Sequence, residues 1–217
     1  GCDLTIFLNF PSYFPNVKTY KLETTYRNSD ELVKTAGHFI QKNPNQVKKE
    51  LKSSKHIKKP IKLVYYKNLD SVLEKVLAMI PEDQEIFILG RNHFDLKKYT
   101  KNLAYSFQEN NEITFFRFSD RKIRFLTVHA AKGLESDVVI LLNLENTLYG
   151  FPSLLKDEKI LSYIKNEQPY PFEEERRLFY VGLTRTKSVI YILVPKYNPS
   201  CFIKEIKKDK NVENLFL

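Results

Sequence analysis

The chain has 217 residues, of which 42% are hydrophobic and 28% charged, and it carries a formal net charge of +9. This is the composition of a globular protein with enough apolar residues for one sizeable core or two small ones. The basic excess favours a polyanionic partner, above all nucleic acid, although lysines that only solvate the surface are the alternative.

The two cysteines and the apolar runs narrow the class of protein further. Cys2 and Cys201 fit no metal-binding spacing and make no disulfide framework, so we expect a reducing, cytoplasmic environment. No apolar run approaches the length of a membrane span, and no leader sequence opens the chain, so no membrane partner is expected. The abrupt start at Gly1 suggests a segment cut from a longer protein.

Apolar runs of strand length alternate with segments of helical periodicity. The predicted strands are residues 17–22, 61–66, 85–90, 113–118, 123–128, 137–143 and 189–194, and the predicted helices are residues 29–42, 69–80, 92–110 and one that opens at Glu173. This alternation is typical of a parallel sheet covered on both faces. We therefore expect an α/β fold in three layers, with ligands at the carboxyl ends of the strands. The lysine-rich stretch 46–60 is expected to be an exposed loop or hairpin arm.

The segment TTYRNSD, residues 24–30, is the first candidate for chemistry. It follows a predicted strand and opens a predicted helix, which places it at the carboxyl edge of the sheet. Tyr26 offers a flat aromatic face, and Arg27 offers a planar cation with five donors suited to phosphate. A packed tyrosine and a surface arginine are the structural alternative.

The segment FLTVHAAKGLESD, residues 125–137, is the second candidate. A strand delivers His129 into a turn of small residues, followed by Lys132 and Gly133. Small side chains and a glycine let backbone N–H groups approach a ligand closely, and Lys132 adds positive charge. Glu135 stands just before the next strand, where it could accept hydrogen bonds from sugar hydroxyls. Together these residues describe a concavity of phosphate size.

The segment EEERRLFYVGLTRTK, residues 173–187, is the third candidate. Glu173 and Glu174 favour the amino end of a helix, and Glu173 can pair with Arg177 four residues later. Arg185 falls between that helix and a buried strand, with no acidic neighbour in the sequence. A buried arginine without a counter-ion is costly, so Arg185 either reaches solvent or meets an anionic ligand.

Two nucleotide-binding features are absent from the sequence. There is no G-x-x-x-x-G-K-[ST] segment, and no acidic pair ends a strand in the manner of a magnesium-holding site. If the chain handles a nucleotide, it therefore supplies only one wall of the site.

The three candidate segments, in this order, resemble motifs IV, V and VI of superfamily 1 DNA helicases of the UvrD/Rep/PcrA type. TTYRNS is similar to the N-Y-R-S of motif IV, TVHAAKGLESDVVIL to the T-x-H-x-x-K-G-L-E of motif V, and EEERRLFYVGLTRTK to motif VI. The resemblance runs from near residue 20 to about residue 195. It implies that residues 1–217 form the second RecA-like motor domain, a P-loop NTPase-type fold called 2A. Residues 1–16 would be the tail of the region after motif III, and residues 196–217 a C-terminal extension.

The resemblance also implies roles at a nucleotide site. Tyr26 would stack on the adenine of ATP, and Arg27 and Arg185 would be arginine fingers that contact the γ-phosphate. Gly133 would shape the motif V loop, and Glu135 would lie beside the ribose.

Partners and cofactors follow from the same resemblance. His129 and Lys132 would lie near the backbone of single-stranded DNA or couple it to the nucleotide. The cofactors implied are ATP and Mg²⁺, with Mg²⁺ held mainly by the N-terminal RecA-like domain of the same full-length chain.

The sequence departs from the family in a few places. Ser136 stands where many relatives have an aromatic residue, and Thr186 where alanine is usual. Only about 100 residues separate Arg27 from His129, so the large 2B insert of the family is absent or minimal, as in helicase-IV-like members. Two other functions remain open: a non-enzymatic nucleic-acid-binding domain that retains a helicase fold, and the helicase-like part of a helicase–nuclease.

Overall fold

The computed structural model describes residues 10–14, 16–18, 20, 22–46, 48–69, 71–155 and 170–217. Two 3₁₀ turns, Glu109–Asn111 and Phe116–Phe118, accompany the regular elements. In chain order these elements are α1 (Phe10–Tyr13), α2 (Asp30–Ile40), β1 (Ile61–Tyr66), α3 (Val72–Met79), β2 (Ile86–Gly90), α4 (Asp95–Tyr99), β3 (Tyr105–Phe107), β4 (Ile113–Phe115), β5 (Ile123–Thr127), β6 (Ser136–Leu141), α5 (Glu173–Leu183), β7 (Thr186–Pro195), α6 (Cys201–Ile206) and β8 (Val212–Phe216).

Six strands form one parallel sheet in the order β5-β2-β6-β7-β1-β8. The strands β3 and β4 form a separate antiparallel hairpin. Strand β2 is buried at every position, which explains its unbroken apolar sequence. The predicted α/β fold with a parallel sheet is therefore confirmed.

Alternating side chains of each strand divide the core between the two faces of the sheet. In β2, Phe87 and Leu89 pack with α2, α5 and α6, whereas Ile86 and Ile88 pack with α3, α4 and the hairpin. Both clusters consist of fully or nearly fully buried apolar side chains. The result is the expected three-layer arrangement, with the sheet between two layers of helices.

The predicted helix over residues 92–110 is wrong beyond its first half. A helix forms only over Asp95–Tyr99, and Tyr105–Phe107 is a strand that pairs with Ile113–Phe115. Asn110 and Asn111 both have positive φ, at 59° and 63°, and so turn the chain back on itself. Asparagine tolerates this left-handed conformation better than most residues. Strand 113–118 is correspondingly shorter than predicted, because it ends at Phe115 and continues as a 3₁₀ turn.

The strand predicted over residues 17–22 does not form at its described positions, and residues 19 and 21 lie outside the described ranges. Thr24 makes only an isolated bridge to Lys52. Helix α2 nevertheless forms as predicted, because the Ser29 hydroxyl caps it by accepting from Leu32 N–H. Residues 24–28 therefore do not leave a strand of the sheet, and their place at its carboxyl edge has to be corrected below.

The lysine-rich stretch predicted over residues 46–60 is, over its described residues 48–60, an exposed loop that packs across the first turn of α2. The Asp30 carboxylate accepts from Ser53 N–H, and the Glu31 carboxylate accepts from Ile57 N–H at 2.9 Å. Burial alone would raise the pKa of Glu31, but the hydrogen bonds from Ile57 and His56 lower it to about 2. The backbone of this loop is thus held in place while its lysines point into solvent.

The C-terminal residues 196–217 are part of the fold. Strand β8 pairs in parallel with β1 at the edge of the sheet, and α6 contributes Phe202, Ile203 and Ile206 to the core. No helix within the described ranges is long and apolar enough to span a lipid bilayer.

A buried ion pair ties α5 to α6. Arg176 is only 6% exposed and lies over the rings of Phe39 and Phe202 at 4.9 and 5.3 Å. Its guanidinium donates two hydrogen bonds to the Glu205 carboxylate, which also pairs with Lys42. Removing Glu205 would leave a desolvated cation in the aromatic core.

We therefore expect Glu205→Ala to lower the free energy of unfolding by about 3 kcal/mol, because breaking a buried pair strands its partner. The matched control is Glu74→Ala, which removes the partner of Arg117, whose side chain is 70% exposed, and should cost less than about 1 kcal/mol. Urea denaturation followed by circular dichroism measures both. If both variants lost the same free energy of unfolding, the Arg176–Glu205 pair would stabilise the fold no more than an exposed ion pair does.

Candidate functional site

Arg185 lies in the joint between α5 and β7, at the amino end of the sheet. Its Nε donates to the Val181 carbonyl at 3.0 Å, its Nη1 to the Leu134 carbonyl at 3.2 Å, and its Nη2 to Thr184 Oγ1 at 3.2 Å. No carboxylate of the described residues forms an ion pair with it. Burial, followed by the charge of Arg27, lowers its pKa, yet an arginine stays protonated in water at any ordinary pH. Arg185 is therefore a fixed, partly buried cation held only by neutral groups.

Arg27 and Glu135 form an ion pair beside Arg185. Arg27 Nε lies 2.5 Å from Glu135 Oε2, and the two side chains are 30% and 42% exposed. Lys187 Nζ lies 3.8 Å from the other carboxylate oxygen, Oε1. The hydrogen bond from Arg27 holds the pKa of Glu135 below its usual value. Lys187 Nζ also lies 3.7 Å from Asp137 Oδ1. Three cations thus face two carboxylates, which leaves one positive charge in excess at this edge.

Asn28 fixes the relative position of the two arginines. Its side chain is 4% exposed, and Nδ2 donates to the carbonyls of Thr184 at 3.3 Å and of Thr186 at 2.6 Å. These carbonyls flank Arg185 on both sides. The segment 24–28 therefore crosses the amino end of β7, and its predicted place at the carboxyl edge was wrong. The reason is that no strand of the sheet leads into this segment. The hydrogen bonds of the Asn28 amide hold the segment at the amino end of β7 instead.

Tyr26 projects into solvent next to this cluster, with 84% of its surface exposed. Exposure of a large aromatic ring beside charged groups leaves both ring faces free to stack. A base-stacking role for Tyr26 stays a prediction.

Residues 128–135 carry the chain from the carboxyl end of β5 to the amino end of β6. Ala131 N–H donates to the Thr127 carbonyl, and Ala131 is fully buried, so the turn packs tightly against the sheet. Gly133 has φ = +89°, a conformation that residues with a Cβ rarely adopt. The next carbonyl, that of Leu134, accepts from Arg185. Gly133 therefore shapes the backbone that holds Arg185.

His129 lies at the opposite end of the sheet from the arginines. A strand such as β6, with six residues, is about 20 Å long, so His129 and Arg185 are separated by roughly that distance. Burial and the nearby Arg91 lower the pKa of His129. Lys132 lies between the two ends and is exposed.

Arg91 and Glu175 form a second charged group that the sequence reading missed. Arg91 follows β2 directly, and its Nε and Nη2 donate to the Glu175 carboxylate at distances of 2.7 to 3.1 Å. Ser153 N–H also donates to this carboxylate at 3.1 Å. The signal available in the sequence was an arginine immediately after the buried run IFILG, the position in parallel sheets where ligands collect.

The predicted site residues thus fall into two groups. Arg27, Glu135 and Arg185 come together at the amino edge, with Tyr26 next to them in the chain and Gly133 shaping the adjoining loop. His129 belongs to the carboxyl edge instead.

The residues at the amino edge suit the anionic part of a nucleotide better than a metal ion. Arg27, Arg185 and Lys187 are hydrogen-bond donors with permanent charge, and such groups bind phosphate oxygens. The described residues include no cluster of three or more His, Cys, Asp or Glu side chains that could hold a metal ion.

Comparison with known proteins connects this arrangement to helicases. Residues 96–197 match the model of the UvrD-like helicase C-terminal domain. The chain is 32% identical to DNA helicase IV of Escherichia coli K12 over 212 residues, which is 95% of this chain and 29% of that protein. It is 35% identical to the ATP-dependent DNA helicase PcrA of Staphylococcus aureus over 98 residues, 41% of this chain and 12% of that protein.

A solved structure supports the fold. The C-terminal domain of a possible DNA helicase from Lactobacillus plantarum WCFS1 superimposes with a TM-score of 0.51 at 13% identity, covering 88% of this chain and 98% of the other. The chain spans less than a third of the length of the two helicases named above. It is therefore homologous to the C-terminal part of these DNA helicases, and its residues 96–197 match the UvrD-like helicase C-terminal domain.

Proposed function

We propose that this chain is the second RecA-like motor domain of an ATP-dependent DNA helicase or translocase. In this proposal Arg27 and Arg185 act as arginine fingers on ATP held mainly by an N-terminal RecA-like domain of the same protein. The observation that carries the proposal is the pair of neighbouring guanidinium groups at the amino edge, of which Arg185 has only neutral partners.

The electrostatics of the amino edge favour an anion that arrives from outside the chain. The charge of Arg27 acts on Arg185 and lowers its pKa, which means that the two cations repel each other. Glu135 compensates only one of them directly. A phosphate group placed between the guanidinium groups removes this repulsion and accepts from both forks of donors.

Each side chain has a defined task in the proposed reaction. Arg185 and Arg27 donate to the oxygens of the transferred phosphoryl group and stabilise the charge that develops there. Tyr26 stacks on the adenine, and Glu135 accepts from the ribose through Oε1, the oxygen that Arg27 does not hold. The Mg²⁺ ion that accompanies ATP would be held mainly by the N-terminal domain, where it would neutralise phosphate charge.

The turn 128–135 links the nucleotide to single-stranded DNA. His129 and Lys132 lie near the DNA backbone in this proposal, while Leu134 of the same turn holds Arg185 through its carbonyl. Movement of the turn on DNA therefore displaces an arginine that contacts ATP, and the reverse holds by linkage. We place the whole protein in the cytoplasm, where free thiols such as that of Cys201 persist.

Arg185→Ala in the intact protein should lower DNA-stimulated ATP hydrolysis about 10³- to 10⁵-fold, because an arginine finger has this value in other phosphoryl-transfer enzymes. Arg185→Lys should also be impaired, since an ammonium group cannot reproduce the fork of donors. Turnover is measured with a coupled phosphate-release assay, and a urea melt checks the fold.

The matched control is Arg117→Ala, which removes an arginine whose side chain is 70% exposed and pairs with Glu74. Its turnover should equal that of the wild type. Turnover of folded Arg185→Ala within tenfold of the wild type would refute the finger role.

The isolated chain should not hydrolyse ATP appreciably, even with single-stranded DNA, because its sequence lacks G-x-x-x-x-G-K-[ST]. Steady-state phosphate release from the purified chain measures this. A second purification step removes contaminating ATPases. If robust turnover remains after it, the proposal that ATP is held mainly by the N-terminal domain is wrong.

Arg27→Gln should raise the pKa of Glu135 towards its ordinary value, because the strongest hydrogen bond to the carboxylate and its nearest charge are lost. Carboxyl-detected NMR titration reports this pKa directly. Glu213, whose pKa is lowered chiefly by its hydrogen bond from Lys62, serves as the internal control and should not move. An unchanged Glu135 titration would mean that the Arg27–Glu135 contact does not form in solution.

A further inference from the structure

The loop that packs on the first turn of α2 concentrates positive charge on a small part of the surface. Residues 48–60, here called the lysine loop, contain six lysines and one glutamate, a formal charge of +5 against +9 for the whole chain. All six lysines are exposed: Lys48, Lys49, Lys52, Lys55, Lys58 and Lys59. More than half of the net charge of the chain therefore lies in this one segment.

Hydrogen bonds to two neighbouring segments fix the backbone of the lysine loop. Lys52 N–H donates to the Glu23 carbonyl at 2.8 Å, and Thr25 N–H donates to the Lys52 carbonyl at 2.9 Å. At the start of α2, Asp30 N–H donates to the Lys55 carbonyl at 2.8 Å. The loop is therefore an ordered part of the fold, and its lysine side chains project from a fixed backbone.

The acids beneath the loop hold its backbone and do not neutralise its lysines. The Asp30 carboxylate accepts from Ser53 N–H and pairs with Lys34 on the next turn of α2. The Glu31 carboxylate accepts from Ile57 N–H. Within the described residues, none of the six loop lysines forms an ion pair with a carboxylate. Like charges repel, so an anionic partner from outside the chain would stabilise the loop.

The loop borders the arginines at the amino edge of the sheet. Its last residue, Pro60, directly precedes β1, and the Lys55 ammonium group donates to the carbonyl of Lys187, the second residue of β7. Arg185 directly precedes β7. His129 lies at the opposite, carboxyl edge. The lysine loop is therefore a surface separate from the one assigned above to single-stranded DNA.

The composition of the loop suits repeated phosphate groups. Lysine ammonium groups act as point charges that bind phosphates without reading bases. Single strands are bound by basic groups interleaved with aromatic rings, whereas residues 48–60 contain no Phe, Tyr or Trp. Double-stranded DNA carries about one charge per 1.7 Å of its axis, so it presents many phosphates to a short basic segment.

We propose that the lysine loop binds the phosphate backbone of double-stranded DNA without sequence preference. The lysines replace condensed counter-ions of the duplex, and the release of these ions drives binding. Because the loop backbone is already ordered, little conformational freedom is lost on binding. This inference rests on the proposed function, because it takes the intact protein to be a motor that works on DNA.

The test compares duplex and single-stranded DNA on the intact protein. A duplex of about 20 base pairs and an oligothymidine of about 20 nucleotides are titrated by fluorescence anisotropy, at salt concentrations from about 50 to about 200 mM. The glutamine variant combines Lys49→Gln, Lys52→Gln and Lys58→Gln, and the arginine variant replaces the same three lysines by arginine. Lys55 is kept because its ammonium group contacts β7.

The matched control removes three exposed lysines from the part of the fold that contains α3, α4 and the hairpin. It combines Lys75→Gln, Lys101→Gln and Lys122→Gln, so the net charge changes equally. None of these lysines forms an ion pair within the described residues. Thermal melts confirm that each variant is folded.

We expect the glutamine variant to bind the duplex about tenfold or more weakly at about 50 mM salt. The slope of log affinity against log salt should become shallower by about 2.7, since each of three lost phosphate contacts contributes about 0.9. The arginine variant keeps the charges and should retain the wild-type slope, as should the control. Affinity for the single strand should change by less than about threefold, because that strand contacts other residues.

The contrary outcomes separate the lysine loop from the proposed function. Wild-type protein that binds neither oligonucleotide and shows no DNA-stimulated ATP hydrolysis overturns both. If the wild type binds the single strand but not the duplex, or if the folded glutamine variant keeps the wild-type duplex affinity and slope, the role of the loop alone is overturned. Equal weakening on duplex and single strand, or equal weakening by the control variant, also overturns it, because the loss would then not depend on the duplex or on the loop.

Discussion

The buried amide of Asn28 is the interaction on which the amino edge depends. It joins carbonyls on either side of Arg185, so the segment that carries Arg27 and the joint that carries Arg185 share one rigid frame. The two hydrogen bonds connect residues that are 156 and 158 positions apart in the chain. Arg27 contacts Glu135, 108 positions away in the chain. Arg185 donates to the carbonyl of Val181, four residues before it, and to the carbonyl of Leu134, 51 positions away. The geometry between the two cations is therefore a property of the tertiary structure.

A parallel sheet separates its two ends by the length of its strands, and two elements span that distance. Helix α5 begins near the carboxyl edge, where Glu175 holds Arg91, and ends at the amino edge next to Arg185. The turn 128–135 makes the same passage on a neighbouring path. Both elements pack against the sheet through buried residues, Phe179 and Leu183 in the helix and Ala131 in the turn. A rigid element with functional side chains at both ends can couple a nucleotide at one edge of the sheet to single-stranded DNA at the other.

The sequence correctly predicted those elements whose residue pattern is compatible with only one kind of secondary structure. Strands such as IFILG and helix α5 follow from apolar continuity and from helical spacing, and the ion pair of Glu173 with Arg177 follows from four-residue separation. It failed where the outcome depends on distant partners. Residues 24–28 looked like the exit of a strand, and only the contact of Asn28 with residues 184 and 186 reveals their true position. The pair of Arg91 with Glu175 was hidden for the same reason, because 84 positions separate its members.

The position of β1 in the sheet has a consequence for synthesis of the protein. Its two neighbours are β7 and β8, which begin at Thr186 and Val212. A nascent chain that ends before residue 186 therefore presents β1 with both edges unpaired. Strand pairing with such large sequence separation is slow, and open edges favour aggregation. Folding of this sheet strand by strand in the order of synthesis is thus excluded by its topology, because β7 and β8, which are made late, complete the pairing of β1, which is made first.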